Sequence, residues 1–105
     1  MKLITKELEK RFEKIGTQEN TKDPIVVAKF FNPTGMGTWY ATAYYPEEKI
    51  FFGYVSIFGD VNDEWGSFSL EELESLRGPF GVGIDRDLYC KEQKISKFEI
   101  PSLSK

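Results

Sequence analysis

Leu8, Phe12 and Ile15 recur at the i, i+4, i+7 spacing of a single helical face. The spacing predicts a helix from Thr5 to Ile15, stopped by Gly16. Glu7 and Arg11 are four apart on it and suited to a surface ion pair, worth only about 0.3 kcal/mol. The polar stretch Thr17 to Pro24 then reads as a loop. Three strand patterns follow. Ile25 to Phe31 is β-branched and aromatic and ends in the turn chemistry of Asn32-Pro33-Thr34-Gly35. Thr38 to Tyr45 alternates, with Trp39, Ala41, Ala43 and Tyr45 on one face and Tyr40, Thr42 and Tyr44 on the other. Pro46 to Lys49 connects it to Ile50 to Phe58, which makes a hairpin, and a weaker fourth strand, Trp65 to Phe68, follows the polar loop Gly59 to Glu64. Connections this short favour antiparallel pairing, since a parallel crossover needs about a dozen residues or more.

A second, short helix begins at Ser69. Ser69 is a candidate N-cap, Glu72 sits three positions on as in a capping box, and Phe68 and Leu73 have the spacing of a hydrophobic staple. Leu70, Leu73 and Leu76 give it an apolar side, and Gly78 followed by Pro79 is the expected stop. From Phe80 to Lys105 the pattern is mostly irregular, with a short strand near Leu88-Tyr89. The expectation is an α+β fold: an antiparallel meander of three to four strands, an N-terminal helix, a short second helix and an extended C-terminal tail. The N-terminal helix can cover one face of the sheet and the tail part of the other.

Composition narrows the function classes. A chain of 105 residues fits one domain, residues 1–105. With 40% hydrophobic and 15% aromatic residues it can build a core without metal or disulfide staples and is not a disordered chain. The net charge of −3 names no partner. No basic stripe is visible, so direct binding of nucleic acid is not expected. Asp60, Asp63, Glu64, Glu71, Glu72 and Glu74 fall in a stretch without Lys or Arg, read as a solvated loop and an acidic first helical turn. Cys90 is the single cysteine, which rules out an intrachain disulfide and fits a reducing compartment. The charged start lacks the apolar run of a signal peptide, and Ile50 to Phe58 is far short of the ~20 residues of a membrane helix. A cytoplasmic protein without a membrane partner is expected.

The chain contains no histidine. That removes the Ser-His and Cys-His nucleophile arrangements, a common metal ligand and the usual general base near neutral pH. The reading leans away from an enzyme, with no catalytic residue, cofactor or metal assigned. Asp60, Asn62, Glu64 and Glu71 match four positions of a calcium-binding loop, but Trp65 stands where that loop requires glycine. The glycines of Arg77-Gly78-Pro79-Phe80-Gly81-Val82-Gly83 follow a helix, whereas a phosphate-cradling loop precedes one.

Asp85-Arg86-Asp87 is the less ordinary feature. Arg86 between two aspartates can be a recognition fork for a carboxylate or phosphate, or a structural clamp that ties the tail to the sheet. The clamp is the favoured reading, because partly buried arginines are normally paired. Tyr40, Tyr44 and Tyr54 can form an exposed platform on the sheet. Base stacking would need a basic groove beside it, so a protein interface is the better functional reading of such a platform.

These residues together resemble the uncharacterised bacterial family known as domain of unknown function 2958. The resemblance spans nearly the whole chain. It rests on Ile4-Thr5-Lys6-Glu7-Leu8, Asp23-Pro24-Ile25-Val26, Ala28-Lys29-Phe30-Phe31, Trp39-Tyr40-Ala41-Thr42 and Phe51-Phe52-Gly53. Phe68 to Glu74, Arg77-Gly78-Pro79-Phe80-Gly81 and Ile84 to Tyr89 complete it. It implies a small bacterial cytoplasmic protein, often encoded on plasmids and other mobile elements near transfer or anti-restriction genes, and it supplies no catalytic residue. The function expected is a non-enzymatic protein-binding accessory module. The alternative is a small-ligand or nucleotide-handling protein that uses Arg77, Arg86 and nearby carboxylates. A deep pocket lined by Arg86 and an aspartate would favour the alternative, and a flat aromatic or acidic surface the module.

Overall fold

The structure is a computed structural model that describes residues 2–57 and 63–103. Phe58, at the end of the third expected strand, lies outside the described residues. So do Asp60 and Asn62 of the calcium-like spacing and the acidic stretch.

Helix α1 spans Lys6–Ile15. Thr5 caps it, its hydroxyl accepting from the Leu8 N–H at 3.1 Å, and Gly16 ends it in the left-handed region that a glycine adopts without strain. Phe12 is buried, with Leu8 and Ile15 packed beside the same core. Arg11 does not take its partner from Glu7. Its Nε donates to Glu92 Oε2 at 2.8 Å and its Nη2 to Oε1, a bidentate fit that a neighbour on the same helix does not match.

The strands are β1 (Ile25–Val26), β2 (Ala28–Phe31), β3 (Thr38–Tyr45), β4 (Ile50–Ser56), β5 (Glu64–Ser69), β6 (Asp85–Arg86) and β7 (Gln93–Lys94). The main sheet is antiparallel in the order β5-β4-β3-β2-β6, and β1 pairs with β7 in a separate ribbon. The expected meander is present, but the sheet has five strands instead of three or four, because β6 adds to the free edge of β2. Two residues are too few to show any alternation. The strand expected at Leu88-Tyr89 is a turn that follows it, held by the Tyr89 N–H on Asp87 Oδ1 at 2.9 Å. The first expected strand is divided at Val27, so that Val26 joins one core cluster and Ala28 and Phe30 the other.

Helix α2 spans Leu70–Ser75. The Ser69 hydroxyl accepts from the Glu72 N–H at 2.8 Å, and Phe68 and Leu73 are buried in one cluster. The helix stops at Leu76, before Gly78, because the chain beyond it is drawn into a small loop. Arg77 bridges Gly83, and the Gly78 N–H donates to Val82 O at 2.7 Å.

The sheet has a core on each side. On the helix side Phe51 is central, its ring 4.7 Å from Tyr44, 5.1 Å from Phe30, 5.4 Å from Phe68 and 5.8 Å from Phe12. On the other side Tyr40, Tyr54 and Val26 pack beneath Ile95 and Ile100, with Phe98 and Leu103 at the margin. Among the described residues no helix is long and apolar enough to cross a membrane.

Candidate functional site

The exposed platform expected of Tyr40, Tyr44 and Tyr54 is not formed. Tyr40 and Tyr54 are only 7% and 3% exposed. The three do not share a face either. In the β3–β4 register Ala41 pairs with Gly53 but Ala43 with Phe52, which leaves Thr42 as an inserted residue. Such a bulge reverses the alternation beyond it. Tyr40 therefore faces the tail with its cross-strand neighbour Tyr54, while Tyr44 turns to the helix side against Phe12 and Phe51. Thr42 itself is buried, its hydroxyl donating to Phe52 O at 3.3 Å. Opposite the bulge, Gly53 lies against the β3 backbone; a Cβ there would stand 1.8 Å from Tyr40 O.

The C-terminal segment crosses the middle of this second face. Phe98 sets its ring edge-on to Tyr40 at 5.4 Å, and the Tyr54 hydroxyl donates to Ser102. Burial, with the Cys90 thiol and Asp63 nearby, holds the Tyr40 hydroxyl above its usual pKa. Two hollows open against the strands. One, about 570 Å³, is lined by Lys29, Met36 and Ser56 among others. The other, about 520 Å³, is lined by residues of the loop 17–24 and by Tyr45, Phe52 and Trp65.

Arg86 and Arg77 are not brought to one site. Arg86 Nη1 donates to Lys2 O at 3.0 Å and Leu3 O at 3.3 Å, so it fastens the N-terminal segment. Arg77 Nη1 donates to the Glu74 and Leu76 carbonyls at the end of α2. They line different hollows, each of about 290 Å³. Of the flanking aspartates, Asp85 pairs with Phe31 in the sheet, and Asp87 Oδ2 lies 3.6 Å from Lys29 Nζ. Lys29 also stands over the Tyr40 ring, 5.8 Å from its centroid. Cys90 lines the Arg86 hollow, and burial, with Asp87 close by, pushes its thiol pKa up, away from the reactive thiolate.

Phe80 and Tyr89 stand furthest into solvent among the aromatic side chains of the described residues. Phe80 is fully exposed and Tyr89 is 93% exposed. Phe80 has φ +62°, a left-handed conformation uncommon in a bulky residue. Its loop adjoins the β2–β3 turn, since a Cβ on Gly78 would meet Thr34 Oγ1 at 2.4 Å. That turn carries Met36, which is exposed as well.

The Phe52–Trp65 cleft is the feature that sequence reasoning missed. Its signal was present in part, because the alternation along Ile50 to Phe58 places Phe52 with Tyr54. The loop wall opposite, pinned by Gln18, leaves no pattern in the chain. Among the described residues no group of three or more His, Cys, Asp or Glu side chains is placed to hold a metal ion.

No curated protein and no solved structure matches the chain. The family model described as protein of unknown function (DUF2958) matches residues 3–100, and the chain belongs to that family.

Proposed function

We propose that the protein is a non-enzymatic protein-binding accessory module whose contact surface centres on Phe80. The observation that supports this is the combination of full exposure and backbone strain at that one residue. A left-handed conformation costs a non-glycine residue about 1–2 kcal/mol. The loop holds it there through the Gly78–Val82 hydrogen bond, a second from the Gly81 N–H to Gly78 O at 3.1 Å, and the Arg77–Gly83 bridge. An aromatic side chain held out in water on a fixed backbone suits an interface anchor. Val82 and, across the adjoining turn, Met36 extend the apolar surface.

The setting implied by the resemblance, a cytoplasmic bacterial protein encoded near transfer or anti-restriction genes, points to an accessory or anti-defence role for such a module. The alternative that relies on Arg77 and Arg86 has weaker support. Each guanidinium is bonded to backbone carbonyls, and each hollow is about 290 Å³, at the lower limit for small-molecule sites. Affinity capture from a bacterial host with wild-type and Phe80→Ala protein tests the proposal. A protein retained by the wild type and lost with Phe80→Ala, at unchanged melting midpoint, upholds it. Equal retention by the two overturns it.

A further inference from the structure

The second sheet face stays aromatic beyond the strip that the C-terminal segment covers. Phe52 and Trp65 lie side by side there, ring centroids 6.2 Å apart and planes 16° from parallel, and both are exposed. Tyr54 supports Trp65 from the covered side, edge to face at 5.4 Å. With Tyr45 they line one side of the 520 Å³ cleft, a volume typical of small-molecule sites.

The loop opposite is held in place. Gln18 uses its whole amide on the backbone: Nε2 donates to Ile25 O at 2.9 Å and to Thr42 O at 2.7 Å, and Oε1 accepts from the Ile25 N–H at 2.7 Å. Gln18 adopts φ +57° to do so. The cleft is therefore preformed. From this loop it receives Glu19 and Lys22. Glu19 Oε2 accepts the Tyr45 hydroxyl at 3.3 Å, while Oε1 has no hydrogen bond among the described residues.

Each wall selects for a different property. Flat π-faces accept a planar ring of any composition. A carboxylate oxygen at the edge accepts from an amino or imino N–H, in a charge-assisted bond. The Lys22 ammonium, on the same loop, suits an anionic substituent. An alkylammonium ligand would meet Lys22, and an apolar side chain would leave Glu19 Oε1 unmatched. The geometry points to a binding site for a planar heteroaromatic ring bearing an N–H donor and an anionic group, as a purine nucleotide does, stacked on Phe52 and Trp65 with its N–H toward Glu19. The site is independent of Phe80, which lies in another loop.

Titration of 15N-labelled protein with adenosine or guanosine monophosphate tests it, with phenyl phosphate as the ring that lacks a donor. Expected are shifts confined to residues 17–22, Tyr45, Phe52 and Trp65, with the Trp65 indole signal moving and that of buried Trp39 staying. Glu19→Ala should weaken binding by about tenfold at unchanged melting midpoint, and Glu19→Gln, which keeps an acceptor, by less. A short single strand of the same base separates the sources. Tighter binding with the same shifts assigns the base to a strand, weaker binding to a free nucleotide, and both uphold the site. No shift at millimolar nucleotide overturns the proposal. So does phenyl phosphate binding as tightly as the nucleotides, or a Glu19→Ala variant that binds them unchanged.

Discussion

The Tyr54 hydroxyl donates to Ser102 Oγ at 2.7 Å, joining the middle of the sheet to the C-terminal segment. Ser102 in turn donates to Asp63 Oδ2 at 2.9 Å, and Asp63 accepts from the Ser56 hydroxyl at 2.7 Å and the Ile57 N–H at 2.9 Å. Tyr54→Phe and Ser102→Ala should each cost about 1 kcal/mol. Because they break one shared bond, the double variant should cost less than the sum. Denaturant midpoints of the four proteins measure this, and strict additivity would show that the two hydroxyls act separately.

Ser69→Ala should cost about 1 kcal/mol, since it leaves the Glu72 N–H without its side-chain acceptor. A denaturant melt with an unchanged midpoint would mean that water replaces the cap at no cost.

Arg86→Ala should cost about 1–3 kcal/mol by leaving the Lys2 and Leu3 carbonyls short of a donor beside the buried Leu3 side chain. Arg86→Lys should rescue only part of this, because an ammonium lacks the planar fork. Melting midpoints of both variants decide it. A neutral Ala variant would return Arg86 to the recognition reading.

Gly53→Ala should be the most damaging of these substitutions, about 3 kcal/mol or more. Its methyl would stand 1.8 Å from the Tyr40 carbonyl oxygen, and backbone inside a sheet has no room to withdraw. Purified Gly53→Ala protein that melts like the wild type would contradict the β3–β4 register.

Acid should destabilise the protein through two identified carboxylates. Asp23 titrates below the usual range because the Ser96 hydroxyl and N–H both donate to it, and Glu92 because the Arg11 guanidinium does. A folded pKa below the unfolded one gives stability that is present above the unfolded value and lost as pH falls through the folded one. The loss is expected below roughly pH 4. The Asp23→Asn, Glu92→Gln double variant should show a shallower decline in melting midpoint over that range. A decline as steep as that of the wild type would place the acid sensitivity elsewhere.

Local chemistry was readable where one short segment carries its own signal. Thr5 to Ile15 shows the apolar face that Phe12, Leu8 and Ile15 present to the core. Ser69, with Phe68 and Leu73, specifies a helix start without help from the rest of the chain. Features that depend on a distant partner were not readable. Thr42 breaks no propensity rule, and its insertion is visible only against Phe52 and Gly53 on the neighbouring strand. The alternation thus placed Tyr44 on the wrong face and suggested a platform that does not exist. The partners of Arg11 and Arg86 lie 81 and 84 residues away, so neither the Glu92 pair nor the hold on Lys2 and Leu3 could be derived from neighbours in sequence. The same holds for the Gln18 bridge to Thr42, and with it for the cleft.

That Arg86 grips Lys2 and Leu3 also bears on the order in which the chain assembles. The β3–β4 and β4–β5 hairpins are local, and a nascent chain can form them while it is still being made. The hold on Lys2 and Leu3 must wait for Arg86, the Arg11 pair for Glu92, and the cover over Tyr40 and Tyr54 for Phe98 and Ile100. The N-terminal segment stays unanchored until Arg86 has left the ribosome, and the aromatic strip on the second face stays wet until Phe98 and Ile100 have. Chains truncated before Phe98 would leave this strip exposed and would therefore be substrates for chaperones and proteases.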